Sequence, residues 1–204
     1  RRRGGTGMKR VAVLVSGGGT NLQALLESER RGENPDGKIV LVVASKPGVY
    51  ALERAAGFGV EGVVVARKEY ASGEAFDAAL LETLRSHAID VVVLAGFLSV
   101  LGPSVIAAYR GRILNVHPSL IPSFCGPGYY GLRVHEAALA RGVKVTGATV
   151  HLVNEECDGG PILLQKAVEV QPDDTPESLQ KRVMVEAEWQ LLPRALAMVC
   201  SEEV

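Results

Sequence analysis

Cysteine is scarce in this sequence of 204 residues, and its spacing fits no common framework. The cysteines are Cys125, Cys157 and Cys200, and no two of them form a C-x-x-C pair. Such a set predicts neither a disulfide scaffold nor a zinc site. We therefore expect reduced thiols in a cytoplasmic protein, and for Cys157 the favoured role is that of a small buried side chain.

Net charge and long apolar runs are also lacking. The 22 basic residues nearly balance the 23 acidic ones, which gives a net charge of −1. This balance predicts no general surface for nucleic acid or membrane. No apolar run reaches the length of a membrane span. The partners we expect are therefore small molecules, and the sequence leaves a monomer or a homodimer open.

Basic residues cluster only at the amino terminus. Residues 1–3 are arginines, and a glycine-rich stretch follows them as far as Gly7. This composition predicts a disordered leader or a cloning remnant over residues 1–7, with Met8 as a plausible start. We expect residues 8–204 to form a single domain.

The chain does contain a regular alternation of short apolar runs and amphipathic stretches. A continuous run such as Val11-Ala12-Val13-Leu14-Val15 is typical of a strand that is covered on both faces. We predict such strands over residues 11–15, 39–44, 60–65, 90–97 and 113–117. Helical spacing of apolar residues lies between them, and one helix is predicted to begin at residues 45–48. The predicted fold class is α/β, a doubly wound and mostly parallel sheet with the first strand at its centre.

The pattern changes in the carboxyl-terminal third. Residues 146–153 and 162–170 are predicted strands, and the short link between them indicates an antiparallel hairpin. Thr175 followed by Pro176 is typical of a helix start, and a long last helix is predicted to run to about Val199.

A glycine turn joins the first predicted strand to the first predicted helix. Its sequence is SGGGTN over residues 16–21. The free N–H groups of a first helical turn attract anions, although a glycine turn can also serve simply to cap a helix. The turn lacks the G-x-x-x-x-G-K-[ST] of triphosphate loops and the third glycine of dinucleotide sites. A single phosphate, held by backbone amides with Thr20 and Asn21, fits better than a pyrophosphate.

Asn115 and His117 lie two residues apart at the end of the fifth predicted strand, so their side chains share a face. Pro118 cannot continue the ladder, so the strand ends there. Carboxyl ends of parallel strands are where open sheets bind ligands. By themselves the two residues are also compatible with a packed, hydrogen-bonded strand tip.

The next segment, residues 123–131, contains three glycines and three aromatic residues and is predicted to be a loop. A cis bond before Pro122 would turn the chain sharply into it. A helix is expected over residues 132–140, on which His135 is interpreted as a packing or capping residue.

Four segments in order carry a family resemblance: SGGGTNLQ, LNVHPSLIPSF, TGATVHLV and DGGPILLQ. From Val11 to about Leu196 the chain resembles the glycinamide ribonucleotide formyltransferases, folate-dependent enzymes of purine synthesis with a Rossmann-like fold. The motif A-G-F occurs at residues 95–97. The motif F-C-G occurs at residues 124–126, in a loop that is longer than in other members of this family. Some members have an arginine before E-A-[YF]-D as a folate contact, and this chain has Gly73 there.

The resemblance implies a role for each matching position. The implied catalytic residues are Asn115, His117 and Asp158. The ribonucleotide phosphate would be bound by Gly19, Thr20 and Asn21, and Glu188 would make another contact with this substrate. The folate would be bound by Leu98, Ser99, Val100, Leu101 and Asn154.

The implied reaction moves the formyl group of 10-formyltetrahydrofolate to the amine of glycinamide ribonucleotide. Asn115 and a charged His117 would stabilise the oxyanion of a tetrahedral intermediate, and Asp158 would favour that charge and assist proton transfer. No metal is implied, and His117 with His151 lacks the ligand set for zinc.

Three alternatives can be compared at this level, and the last two of them remain open. Methionyl-tRNA formyltransferase needs a second, basic domain that this sequence has neither the length nor the charge to contain. Formyltetrahydrofolate deformylase hydrolyses the same co-substrate. A non-catalytic module that binds a phosphate ligand would explain the glycine turn but not the catalytic set.

Overall fold

A computed structural model describes residues 7–204, and almost all of the expected leader lies outside the described residues. The described chain forms a seven-stranded sheet in the order β3-β2-β1-β4-β5-β6-β7. The strands are β1 Lys9–Val15, β2 Gly37–Ala44, β3 Glu61–Val64, β4 Val91–Leu94, β5 Ile113–His117, β6 Val145–Leu152 and β7 Ile162–Glu169.

The strands β1 to β5 are parallel, and β1 lies between β2 and β4. The predicted doubly wound sheet with a central first strand is therefore confirmed. β6 pairs antiparallel with both β5 and β7, so the predicted antiparallel hairpin is confirmed as well.

Helices cover both faces of the sheet. They are α1 Thr20–Arg30, α2 Tyr50–Gly57, α3 Gly73–Ser86, α4 Pro103–Ala108, α5 Leu132–Arg141, α6 Pro176–Val183 and α7 Trp189–Cys200, with a 3-10 turn at Arg67–Glu69. The prediction that α2 begins at residues 45–48 is wrong. Gly48 there has a positive φ of 71°, which continues the turn, and the helix begins at Tyr50.

The core explains why the first strand reads as a continuous apolar run. Val11 and Val13 pack on one face of the sheet with Leu22 of α1, whereas Ala12 and Leu14 pack on the other face. All four strand residues are fully buried. A strand covered on both faces has no side on which polar residues are favoured.

The predicted long last helix is confirmed, since helical residues continue from Pro176 to Cys200, and the structure adds an irregular segment within it. Thr175 caps α6 in a capping box with Ser178, but a π-helical segment, Met184–Glu188, separates α6 from α7. There the N–H of Trp189 bonds to the carbonyl of Met184, five residues back. Pro193 lacks the N–H that would bond to the Trp189 carbonyl, so regular α-helical bonding is disturbed at this junction.

Two further findings concern single features. The Ile121–Pro122 peptide bond is cis, which confirms the prediction from the turn sequence. Within residues 7–204, no helix has both the length and the apolar character needed to cross a membrane.

Candidate active site

A cavity of about 1050 Å³ opens at the carboxyl ends of β1, β4 and β5. The glycine turn forms part of its wall, and the ends of β5 and β6 form another part. The position is the one expected for ligands in a sheet of this topology, where the chain order reverses between β1 and β4. The cavity brings together all of the predicted site residues, which are Gly19, Thr20, Asn21, Leu98, Ser99, Val100, Leu101, Asn115, His117, Asn154, Asp158 and Glu188.

Asn115 is held by a neighbour across the ladder. It is the direct partner of His151 in the β5–β6 pairing, and its Nδ2 lies 3.2 Å from His151 Nε2. The other nitrogen of His151, Nδ1, donates to the Leu152 carbonyl at 2.9 Å. In the tautomer whose proton is on Nδ1, Nε2 accepts from the Asn115 amide, which leaves the second N–H of that amide free.

His117 is buried and has a different neighbour at each ring nitrogen. Its Nε2 donates to the carbonyl of Phe124 at 2.8 Å. Its Nδ1 lies 3.6 Å from Asp158 Oδ2. The loop of residues 123–131 therefore holds the ring at one nitrogen, and the Asp158 carboxylate lies near the other nitrogen.

Asp158 connects the two histidines. Its Oδ1 lies 3.7 Å from His151 Nε2, and its Oδ2 accepts from the backbone N–H of Gly126 at 2.9 Å. Burial by itself raises the pKa of Asp158, but the nearby His151 ring, the Gly126 N–H and the His117 ring together bring that pKa below its usual value. The group is therefore a carboxylate at neutral pH.

Backbone geometry also distinguishes Asp158. Its φ is +54°, in the left-handed region that non-glycine residues seldom occupy. Asp158 belongs to the acidic turn, residues 154–161, which lines the cavity. Strained backbone conformations of this kind often occur at functional sites.

The glycine turn begins α1 without a side-chain cap. Gly19 is the N-cap residue with a φ of +78°, and a Cβ there would lie 2.7 Å from Ala51 Cβ. Both the conformation and the close approach require glycine. The uncapped N–H groups of the first helical turn are thus available to an anion in the cavity.

Glu188 joins the turn to the far end of the chain. Its Oε1 accepts from Asn21 Nδ2 at 3.2 Å, so the Asn21 amide is directed at Glu188. Burial raises the pKa of Glu188 to about 7, and the bond from Asn21 lowers it less. The π-helical segment places this buried carboxyl group at the cavity wall.

A family model described as Formyl transferase matches residues 9–196. The Phosphoribosylglycinamide formyltransferase of Bacillus subtilis (strain 168) is 39% identical over 89% of this chain and 91% of that protein. The chain belongs to the formyl transferase family. The resemblance seen in the four sequence motifs is confirmed.

Other relatives of this chain are longer. The Trifunctional purine biosynthetic protein adenosine-3 of Drosophila melanogaster is 44% identical over 94% of this chain but only 14% of that protein. The chain spans 14–19% of the length of the trifunctional relatives it matches. A crystal structure of glycinamide ribonucleotide transformylase 1 from Symbiobacterium toebii superposes with a TM-score of 0.90 at 42% identity, covering 96% of this chain and 89% of the other.

The segment after β4 forms an apolar wall of the cavity. Leu98 and Val100 are 61% and 86% exposed, which is unusual for large apolar side chains and suits a surface that a flat ligand covers. The backbone N–H of Leu98 donates to Ser16 Oγ at 2.9 Å. Asn154 lies at the edge of the same cavity, where its Oδ1 accepts from the backbone N–H of Glu156.

Two residues near the glycine turn are missing from the sequence predictions. Arg54 Nε donates to the Gly18 carbonyl at 2.7 Å, and Ser16 Oγ lies 2.6 Å from Ser45 Oγ. Both shape the turn from neighbouring elements. No local motif reveals Arg54, because its contact joins α2 to the glycine turn through the fold. Ser16 was visible as the first residue of the turn, but its bonds to other strands were not.

The structure also places three residues whose roles were open. Cys157 is exposed, so its expected burial is wrong; it lies in the acidic turn beside Asp158, with its Sγ 3.9 Å from Oδ2. Gly73 begins α3 and is not part of the cavity wall. His135 is buried and lines the cavity.

Over the described range, no group of three or more His, Cys, Asp or Glu side chains is arranged to hold a metal ion.

Proposed function

We propose that this chain transfers the formyl group of 10-formyltetrahydrofolate to the amine of glycinamide ribonucleotide. The observation that carries the proposal is the cluster of Asn115, His117 and Asp158 in one cavity with an uncapped helix start. The cluster offers hydrogen-bond donors for a developing oxyanion, and the uncapped helix start offers a site for a phosphate group. The names of the relatives that match most of their own length support the same reaction.

His117 acts as a donor only when its ring is charged. Its Nε2–H is already used by the Phe124 carbonyl, so the neutral ring presents a bare Nδ1 to the cavity side. Protonation gives Nδ1–H, and the negative charge of the Asp158 carboxylate lies 3.6 Å from that nitrogen. The charged ring then donates to the formyl oxygen as negative charge develops there.

Asn115 supplies the second donor. One N–H of its amide points to His151, and the other is directed at the same oxygen. His151 thus acts as a positioning residue, because its contact fixes which way the Asn115 amide is turned.

The bonds change in two steps. The amine nitrogen forms a bond to the formyl carbon and becomes positively charged, while the carbonyl oxygen becomes an oxyanion. Asp158, directly or through a water molecule, takes a proton from that nitrogen. The oxyanion then re-forms the C=O bond as the carbon–N10 bond of the folate breaks, and N10 receives the proton. Formylated ribonucleotide and tetrahydrofolate leave.

The two substrates occupy different parts of the cavity. We assign the ribonucleotide phosphate to Gly19, Thr20 and Asn21, and a further contact of this substrate to Glu188. We assign the folate to the wall that includes Leu98, Ser99, Val100 and Leu101, with Asn154 at its edge. The small-molecule partners, the cytoplasmic location, the single domain over residues 8–204 and the absence of a metal requirement are parts of the same proposal.

The deciding experiment measures formyl transfer by the purified chain, with glycinamide ribonucleotide and with water as the acceptor. We expect tetrahydrofolate to form only when the ribonucleotide is present, at a rate that EDTA does not change. Release of formate without the ribonucleotide would instead identify a deformylase. Binding of the ribonucleotide without turnover would identify a non-catalytic module.

A further inference from the structure

His135 has a buried side chain without polar partners. Its exposed fraction is 1%, and neither ring nitrogen has a hydrogen-bond partner among residues 7–204. Nearly all buried polar groups in proteins are hydrogen-bonded, because an unpaired one has lost water without replacing it. A histidine that only packed or capped α5 would have a partner on that helix or next to it.

The cavity is where a partner can reach this ring. His135 belongs to the cavity wall, together with His117. The charge of His117 is near enough to act on the ring, and with burial, the larger cause, it lowers the pKa of His135 to about 4. At neutral pH the ring therefore offers one donor and one acceptor and no charge.

The position of α5 indicates which substrate the ring meets. This helix packs against α6, which leads into the π-helical segment with Glu188. Gln180 and Met184 of these elements also line the cavity. His135 is thus connected through α6 to the elements assigned to the ribonucleotide, and it is near enough to His117 to feel its charge.

We propose that His135 is a substrate-binding residue that hydrogen-bonds an uncharged polar group of the ribonucleotide, between its phosphate and its reacting amine. The inference rests on the proposed function. A ribose hydroxyl or the glycinamide amide has the required chemistry, since each can pair with a neutral imidazole. The bond would orient the amine toward the formyl carbon, while the uncharged ring would not oppose the positive charge of His117.

Three substitutions test this role. His135→Phe keeps a flat ring but removes both nitrogens, whereas His135→Asn and His135→Gln each restore a donor and an acceptor near one nitrogen position. We expect His135→Phe to weaken ribonucleotide binding about 10-fold in calorimetry and to raise KM for that substrate similarly. Binding of a folate analogue should stay within about 2-fold of wild type. Recovery in the Asn or the Gln variant shows which nitrogen makes the bond.

The control is His87→Phe, because His87 lies outside the cavity at the end of α3. It should leave binding of both ligands unchanged. Wild-type ribonucleotide affinity in His135→Phe, or equal weakening of both ligands, would overturn the proposal. If His135→Phe does not fold, 15N NMR spectra of the wild-type protein provide the test. A change in the chemical shifts of the His135 ring nitrogens with the ribonucleotide, but not with the folate analogue, supports the proposal. Unchanged chemical shifts overturn it. Failure of the wild-type chain to bind ribonucleotide would refute the proposed function as well.

Discussion

Each ring nitrogen of His117 has its own fixed neighbour, and this arrangement determines what the residue can do. Strand alternation in the sequence was sufficient to place Asn115 and His117 on one face. It was not sufficient to place Asp158 beside them, because that contact depends on the antiparallel β6 and on the loop at Gly126. The roles of the individual residues therefore required the tertiary fold.

At this scale the first prediction concerns Asp158→Asn. The amide cannot accept a proton and places no negative charge beside His117, so we expect kcat to fall by roughly 10²–10⁴-fold. The midpoint of thermal unfolding should change little, because most of the site's packing is retained. Asp36→Asn, an exposed change, is the control. Wild-type turnover in Asp158→Asn would exclude the proton-transfer role.

The second prediction concerns the pH dependence of stability. The pKa of Glu188 rises from 4.5 in the unfolded chain to about 7 in the folded protein. The folded state therefore binds the extra proton between these values, and stability is lost as pH rises through about 7. Glu188→Gln removes this dependence.

Urea unfolding of wild type and variant from pH 5 to pH 8 measures this pH dependence of stability. The free energy of unfolding of Glu188→Gln relative to wild type should increase by about 2–3 kcal/mol over this range. Glu186→Gln, an exposed change in the same π-helical segment, should show no such trend. Parallel curves for wild type and Glu188→Gln would contradict the assignment.

Among the elements, the glycine turn and the π-helical segment of the last helix show opposite outcomes of sequence reasoning. The turn was predictable because glycine, a preceding apolar run and following leucines give a local signal. The π-helical segment between α6 and α7 was not predictable, because apolar spacing continues through it. Only Pro193 indicates that regular α-helical bonding is lost there. Helix α2 was misplaced at its start for a related reason, since Pro47 and Gly48 are compatible with either a helix start or a turn.

The third prediction belongs to the turn. Gly19→Ala introduces a Cβ at a φ of +78°, against Ala51 at 2.7 Å. We expect a loss of at least about 2 kcal/mol in the free energy of unfolding, and weaker ribonucleotide binding. Gly57→Ala is the control, because its φ is not positive and its Cβ would meet open space. Unchanged stability in Gly19→Ala would contradict the proposed geometry of the turn.

For the whole molecule, the order of strands determines where the site lies. Alternating strands and helices predicted the sheet, and the sheet predicted the edge that binds ligands. The hairpin added at the β5 edge supplies His151 and Asp158, and its register could not be derived without the fold. Residues from distant parts of the chain therefore form the walls of a single cavity.

The fourth prediction follows from this shared cavity. The ribonucleotide and a folate analogue, each at about 100 times its Kd, should each stabilise the folded state by about 2.7 kcal/mol. The melting temperature should then rise by roughly 5–10 °C in calorimetry. NAD is the matched control, since the turn lacks the third glycine of a dinucleotide site. A similar shift with NAD would contradict the single-phosphate assignment.

The bond between Asn21 and Glu188 joins residues 167 positions apart. A cut at the exposed turn at Gly111 would separate the glycine turn and the apolar wall from the catalytic cluster and Glu188. Neither fragment would hold a complete site, and ligand binding would favour their reassembly. A split form of this protein could therefore serve as a sensor, in which recovered activity reports that the substrate has brought two pieces of chain together.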